Sequence, residues 1–141
     1  MLQGTPERVR EYYDEHPISE GHVLAALAGQ RLAGSLTTDD LFAFDQDHYG
    51  GLAAVDTLAR RAGVGPASRV LDVCAGLGGP ARFVASRRGS AVVALELHAG
   101  RAAGAARLNR LVKQARVKVV RADATTLPFA GATFDACLSQ E

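Results

Sequence analysis

Residues 69–82 read RVLDVCAGLGGPAR, and the reading of this stretch decides the fold. Val70, Leu71 and Val73 make the apolar run expected of a strand buried on both faces. Directly behind them come Gly76, Gly78 and Gly79, and then Pro80. Glycine permits a sharp turn and lets the backbone approach a ligand with no Cβ in the way. Proline is tolerated in a first helical turn, where the amides lack intrahelical partners anyway. The stretch predicts a strand, a tight turn and a helix start, with a ligand lying against the turn.

Asp72 narrows the choice of ligand. Gly76, Gly78 and Ala81 satisfy the loose dinucleotide fingerprint, in which glycines bring the backbone up to a pyrophosphate at a helix N-terminus. A carboxylate four residues before the first of these glycines points negative charge toward the same mouth, where it repels phosphate and attracts a cation. S-adenosylmethionine, with an ammonium and a sulfonium beside a ribose, suits such a loop better than NAD. Asp72 as a cap on neighbouring loop amides is the plainer alternative, compatible with either ligand.

Working outward, the pattern alternates strands and helices. Residues 81–88 read as a helix ended by Gly89, and residues 91–97, AVVALEL, as a second buried strand. An alanine-rich helix runs to about Ala115, a third strand spans 117–121, and a fourth spans 134–138. Upstream, residues 52–62 form a helix with Val55, Leu58 and Ala59 on one face and Gly63 behind it. Such alternation predicts an α/β, Rossmann-like parallel sheet of about four strands with right-handed crossovers. Before it, Thr5 and Pro6 start a helix to about His16, stopped by Pro17, and Ser19 caps a second. Thr37 or Thr38 caps a short turn that ends at Gly50 and Gly51. Two parts are therefore expected: residues 1–50 as an N-terminal helical cap and 51–141 as the nucleotide-binding sheet. Five of the eight aromatics fall in the first part, which suits a cover over the site.

Charge divides along the same line. Residues 1–50 hold three arginines against nine acids, and residues 51–141 hold thirteen Lys and Arg against six. An acidic cap can dock on a basic rear or draw in a cationic substrate. Arg101, Arg107, Arg110 and Lys113 are read as the solvated face of a helix, and no aromatic-basic interleaving points to nucleic acid. Cys74 and Cys137 lie in apolar runs and are expected as small buried hydrophobes, and the four histidines lack ligand spacing, so no metal is expected. No apolar stretch reaches the ~20 residues of a membrane span and no signal peptide is evident, so a cytoplasmic protein without membrane contact is expected.

Glu96 lies 20 positions after Gly76, at the end of the second strand. A carboxylate there can accept both hydroxyls of an adenosine ribose, since ligands of open α/β sheets bind at the carboxyl edge. Asp123, at the same edge of the third strand, can accept the exocyclic amine of adenine or close an Asx turn. No Ser/His/Asp or Cys/His constellation is seen. Methyl transfer from a sulfonium needs little proton chemistry, only alignment and exclusion of water.

Over residues 51–141 the chain resembles the class I S-adenosylmethionine-dependent methyltransferases. VLDVCAGLGGPAR is similar to their glycine-rich motif, AVVALEL to their second-strand acidic motif, and RADATTLPFAGATFDACLSQE to their third- and fourth-strand motifs. YYDEHPISEGHVLAAL and DQDHYGGLAAVDTLA resemble the cap of small-molecule members of the sarcosine/dimethylglycine type. The resemblance implies Asp72, Gly76 and Gly78 at the methionine end of the cofactor, Glu96 at the ribose, and Leu97, Asp123 and Ala124 around the adenine. It implies Ser139 and Gln140 near methionine and acceptor, and Tyr49 in the lid near the methyl group. Cys74 and Ala75 stand where the family usually has Gly and Cys.

The activity implied is methyl transfer to a small molecule, with an amine preferred because the cap is acidic. An inactive S-adenosylmethionine-binding or assembly module and an NAD(P)-dependent oxidoreductase are the alternatives. The family's further strands have no counterpart here, so the sequence is expected to be a fragment or one half of a split protein. The edge carrying Phe134, Ala136 and Leu138 is expected to invite self-association, pairing with a second chain, or aggregation.

Overall fold

The computed structural model describes residues 5–15, 18–30 and 34–140. Four strands, β1 (Arg69–Val73), β2 (Ala91–Glu96), β3 (Val117–Arg121) and β4 (Ala136–Ser139), form one parallel sheet in the order β3-β2-β1-β4. The fold is thus the α/β, Rossmann-like arrangement that the strand-helix alternation implies. Val70 pairs with Val92 and Ala136, and Val92 with Val117, so one apolar row runs across the sheet.

Among the described residues six helices flank it: α1 (Pro6–Asp14), α2 (Glu20–Ala28), α3 (Thr38–Leu41), α4 (Gly51–Arg61), α5 (Gly79–Arg88) and α6 (Ala99–Leu111). Val70, Val92, Ala94, Val117 and Leu138 of the sheet join Ala81, Val84 and Ala85 of α5 and Val55 and Ala59 of α4 in the main core. A second core binds the front of the chain to the rear. Val23 and Leu27 of α2 and Leu41 of α3 pack there with Leu77, Leu108 and Val112.

Local chemistry sets the element ends. Thr5 and Ser19 cap α1 and α2 through their hydroxyls, and Pro6 opens α1. The Thr37 amide and hydroxyl both donate to Asp40 Oδ2 at 2.7 Å, fixing α3. α1 ends at Asp14, and the expected stop at His16 and Pro17 lies outside the described residues. α6 ends at Leu111, short of Ala115, because Lys113 turns into the left-handed region at φ 54°. β4 starts two residues later than expected: Asp135 turns aside, accepting the Arg69 amide at 2.7 Å on Oδ2.

The cysteines correct a second expectation. Both are exposed: Cys74 leaves the end of β1 with φ 59°, and Cys137 belongs to an edge strand. Apolar neighbours in sequence did not bury them, because strand alternation turns Cys137 away from the side on which Leu138 is covered. Among the described residues no helix is long and apolar enough to cross a membrane.

Candidate functional site

The carboxyl ends of β1, β2 and β3 open into a cleft of about 460 Å³, within the roughly 300–1,000 Å³ of ligand sites. Asp72, Gly76, Glu96, Leu97, Asp123, Ala124 and Gln140 all line it. Three residues singled out from the sequence do not. Tyr49 is 86% exposed and points away, its neighbour His48 taking the wall position instead. Gly78 is buried beneath the loop, and Ser139 is exposed on β4 outside the lining.

Asp72 occupies the floor. Its side chain is buried at the end of β1, and Oδ2 has no hydrogen-bond partner. Burial pushes its carboxyl up to about 7, an Ala81 amide hydrogen bond opposes the rise, and the nearby Glu96 charge adds to it. An orphaned buried carboxylate oxygen is costly unless a ligand answers it.

Glu96 is held by both oxygens. Oε2 accepts the Gly76 amide at 2.8 Å and Oε1 the His98 amide at 2.7 Å. These bonds fasten the glycine turn to the turn after β2, and each carboxylate oxygen keeps a lone pair for a further donor. Asp123 makes the Asx turn: Oδ1 accepts the Thr125 amide at 2.8 Å and its hydroxyl at 2.7 Å. Those bonds hold its carboxyl below the usual range.

The glycines serve the fold as much as the cleft. Gly76 adopts φ 57°, and a Cβ there would lie 2.8 Å from Arg101 Nη2. A Cβ on Gly79 would lie 2.1 Å from the Asp45 carbonyl oxygen, so the front of the chain rests directly on the start of α5.

Two arginines hold that front part, and sequence reading missed both. Arg82 and Asp45 form an ion pair with both side chains wholly buried, Nη2 to Oδ2 at 2.9 Å. Arg82 also donates to Asn109 Oδ1 at 2.8 Å and to the Leu77 carbonyl at 2.6 Å. Burial pushes the Asp45 carboxyl up against the pull of Arg82. Arg101, expected on a solvated face, is 6% exposed. It donates to Asp47 Oδ2 at 2.8 Å and to the Ile18 carbonyl at 3.1 Å, with its guanidinium 4.8 Å from the Tyr13 ring centre. Tyr13, Asp45, Asp47 and His48 thereby become cleft wall. The excess of acids in residues 1–50 was the available signal, though it did not say which arginines they meet.

The cleft suits an adenosyl ligand with a cationic end. Its lining holds five acids, Asp45, Asp47, Asp72, Glu96 and Asp123, and one Lys or Arg, Arg101. Asp45 and Asp47 pair with arginines, whereas Asp72 Oδ2 has no hydrogen-bond partner. Among the described residues no group of His, Cys, Asp and Glu is arranged to hold a metal ion.

Comparison with known proteins agrees. The methyltransferase domain family matches residues 70–141. Sterol methyltransferase-like 3 of Botryococcus braunii is 36% identical over 85 residues, 60% of this chain and 22% of that protein. Haemonchus contortus phosphoethanolamine N-methyltransferase 2, solved with phosphomonomethylethanolamine and S-adenosylhomocysteine, superposes at TM-score 0.67 and 25% identity. That match covers 94% of this chain and 28% of the other. Geranyl diphosphate C-methyltransferase from Streptomyces coelicolor A3(2) shares the fold at TM-score 0.67 and 20% identity, over 95% of this chain and 54% of its own. The chain spans about a fifth of the curated relative's length. With the strand-turn-helix at Gly76, the acid closing β2 and a family match over half its residues, this chain belongs to the methyltransferase domain family, with the class I, S-adenosylmethionine-dependent fold.

Proposed function

We propose that the chain forms the cofactor-binding part of a methyltransferase acting on a small molecule, with an amine as acceptor. The observation that carries the reading is Asp72 Oδ2, buried and unpartnered beside the glycine turn, with Glu96 on the same cleft. S-adenosylmethionine, the methyl donor of this family, supplies an activated methyl whose bond to sulfur breaks, the pair staying on sulfur, as the acceptor's bond to carbon forms.

The chain's own residues do the binding. Asp72 answers the cationic end of the donor, and the Gly76 turn lines the same cleft. Glu96, already oriented by two amides, accepts the ribose hydroxyls. Leu97, Asp123 and Ala124 flank the adenine. Pro6, Val9 and Tyr13 of α1 cover the cleft and keep water from it. A buried carboxylate disfavours the pyrophosphate of NAD, which sets aside the oxidoreductase alternative. The acid-rich wall and the N-methyltransferase likeness support an amine acceptor.

Calorimetric titration with S-adenosylhomocysteine tests the cofactor assignment. Binding is expected, weakened roughly 10-fold or more in Glu96→Ala. No heat at millimolar ligand, or tighter binding of NADH, would overturn it.

A further inference from the structure

Two helix ends carry residues that helix chemistry alone does not favour, and the two residues meet. α1 closes on Asp14, with no base in its last turn, where the partial negative charge of the helix end repels a carboxylate. α6 opens on His98 as its N-cap, a position that usually takes Ser, Thr, Asp or Asn. The Arg101 amide donates to His98 Nδ1 at 3.1 Å. A backbone N–H is always a donor, so the lone pair of the neutral ring lies on Nδ1 and the hydrogen on Nε2. Nε2 then donates to Asp14 Oδ1 at 2.8 Å. One ring nitrogen faces a donor and the other an acceptor, so a single tautomer satisfies both. Gly100 leaves room for the ring, since a Cβ there would lie 3.0 Å from His98 Cε1. The backbone of the same residue serves the cleft: the His98 amide donates to Glu96 Oε1 at 2.7 Å.

We propose that His98 is a positioning residue, which fastens α1 over the cleft in register with Glu96 and so slows the departure of the adenosyl ligand. The inference rests on the methyltransferase reading above and deepens it by naming the contact that governs how long the cofactor stays. α1 presents Pro6, Val9 and Tyr13 to the cleft, at the i, i+3 and i+7 spacing of one helix face. None of its residues is buried, so apolar packing does little to hold it. Polar contacts at its last turn take that part, Tyr13 lying on the Arg101 guanidinium and Asp14 on His98. The backbone of His98 holds Glu96 and its ring holds α1, so the cover and the ribose acid share one anchor. A ligand leaving Glu96 must pass a cover fixed at that anchor.

Dissociation of radiolabelled S-adenosylhomocysteine from the 141-residue chain, chased with unlabelled ligand, tests this alongside hydrogen exchange of the α1 amides. Asp14→Ala should speed both roughly fivefold, the effect of losing one hydrogen bond of ordinary net strength. Asp14→Asn keeps an acceptor for Nε2 and should stay close to wild type in both. His98→Asn keeps the α6 cap, because asparagine accepts the Arg101 amide, yet it is too short to reach Asp14 and should match Asp14→Ala. Wild-type rates in Asp14→Ala overturn the proposal. So does Asp14→Asn as fast as Asp14→Ala, which makes charge and not the hydrogen bond the cause. A His98→Asn chain that behaves as wild type overturns it too, leaving the histidine only a cap. Should His98→Asn fail to fold, the two Asp14 variants decide. Failure of the wild type to bind S-adenosylhomocysteine overturns the cofactor reading and this inference with it, whereas wild-type binding with unchanged variant rates overturns the inference alone.

Discussion

Asp72 carries opposite consequences for stability and for binding. Burial raises its carboxyl to about 7 in the folded chain, against an unfolded value of 3.8. Between those values the folded state binds the extra proton, so the acid contributes stability at low pH that is lost as pH rises through about 7. Asp72→Asn removes that loss, and thermal denaturation at pH 8 should show a melting temperature several degrees higher than wild type. A ligand ammonium is held by the ionised form, so wild-type affinity for S-adenosylhomocysteine should climb from pH 6 to pH 8, with a midpoint near 7, as ~1.4 kcal/mol accompanies each tenfold change. In Asp72→Asn that climb should vanish and the affinity stay low. A flat wild-type titration would remove Asp72 from the site. That Asp72, Glu96 and Asp123 line the cleft was legible because each lies at or just past the carboxyl end of a strand. His48 was not, because it neighbours Tyr49 in a loop whose twist decides which of the two faces inward.

At the scale of elements, the loop between α3 and α4 is fastened to α5 by a bare glycine and a buried ion pair. Gly79→Ala would drive a Cβ into the Asp45 carbonyl, and neither partner is the end of a flexible side chain. It should cost about 2 kcal/mol or more in denaturant unfolding, as overpacked backbone contacts do. Arg82→Met leaves the Asp45 carboxylate buried without its partner and should cost ~3–5 kcal/mol. Arg82→Met combined with Asp45→Leu should recover much of it, because two apolar groups leave no uncompensated charge. If the double variant is no better than the single, Arg82 acts through Asn109 and Leu77 and not through Asp45. The helices and strands themselves were readable from period and punctuation. Arg101 was misread and Arg82 was not singled out, since charge in a helix implies solvent unless an acid distant in sequence arrives to pair with it.

For the whole molecule, the two thiols report on the cleft. Cys74 lines it and Cys137 lies on the edge strand, and both are exposed. Burial, partial as it is, raises both thiols above their ordinary range, so each should react slowly with a disulfide reagent at neutral pH. Saturating S-adenosylhomocysteine should protect one thiol and leave the other, counted by absorbance and placed by mass spectrometry. Protection of neither would put the ligand elsewhere.

The succession of strands and helices, the glycine turn and the acids near the ends of β1 and β2 were determined by the sequence, because apolar periodicity and backbone freedom are local properties. What fills the cleft wall was decided only by tertiary structure. Arg82 with Asp45, Arg101 with Asp47, and His48 with Gln140 lie 37, 54 and 92 positions apart, and no short-range pattern encodes a partner at that distance. Burial then converts these meetings into the charges and orientations on which binding depends.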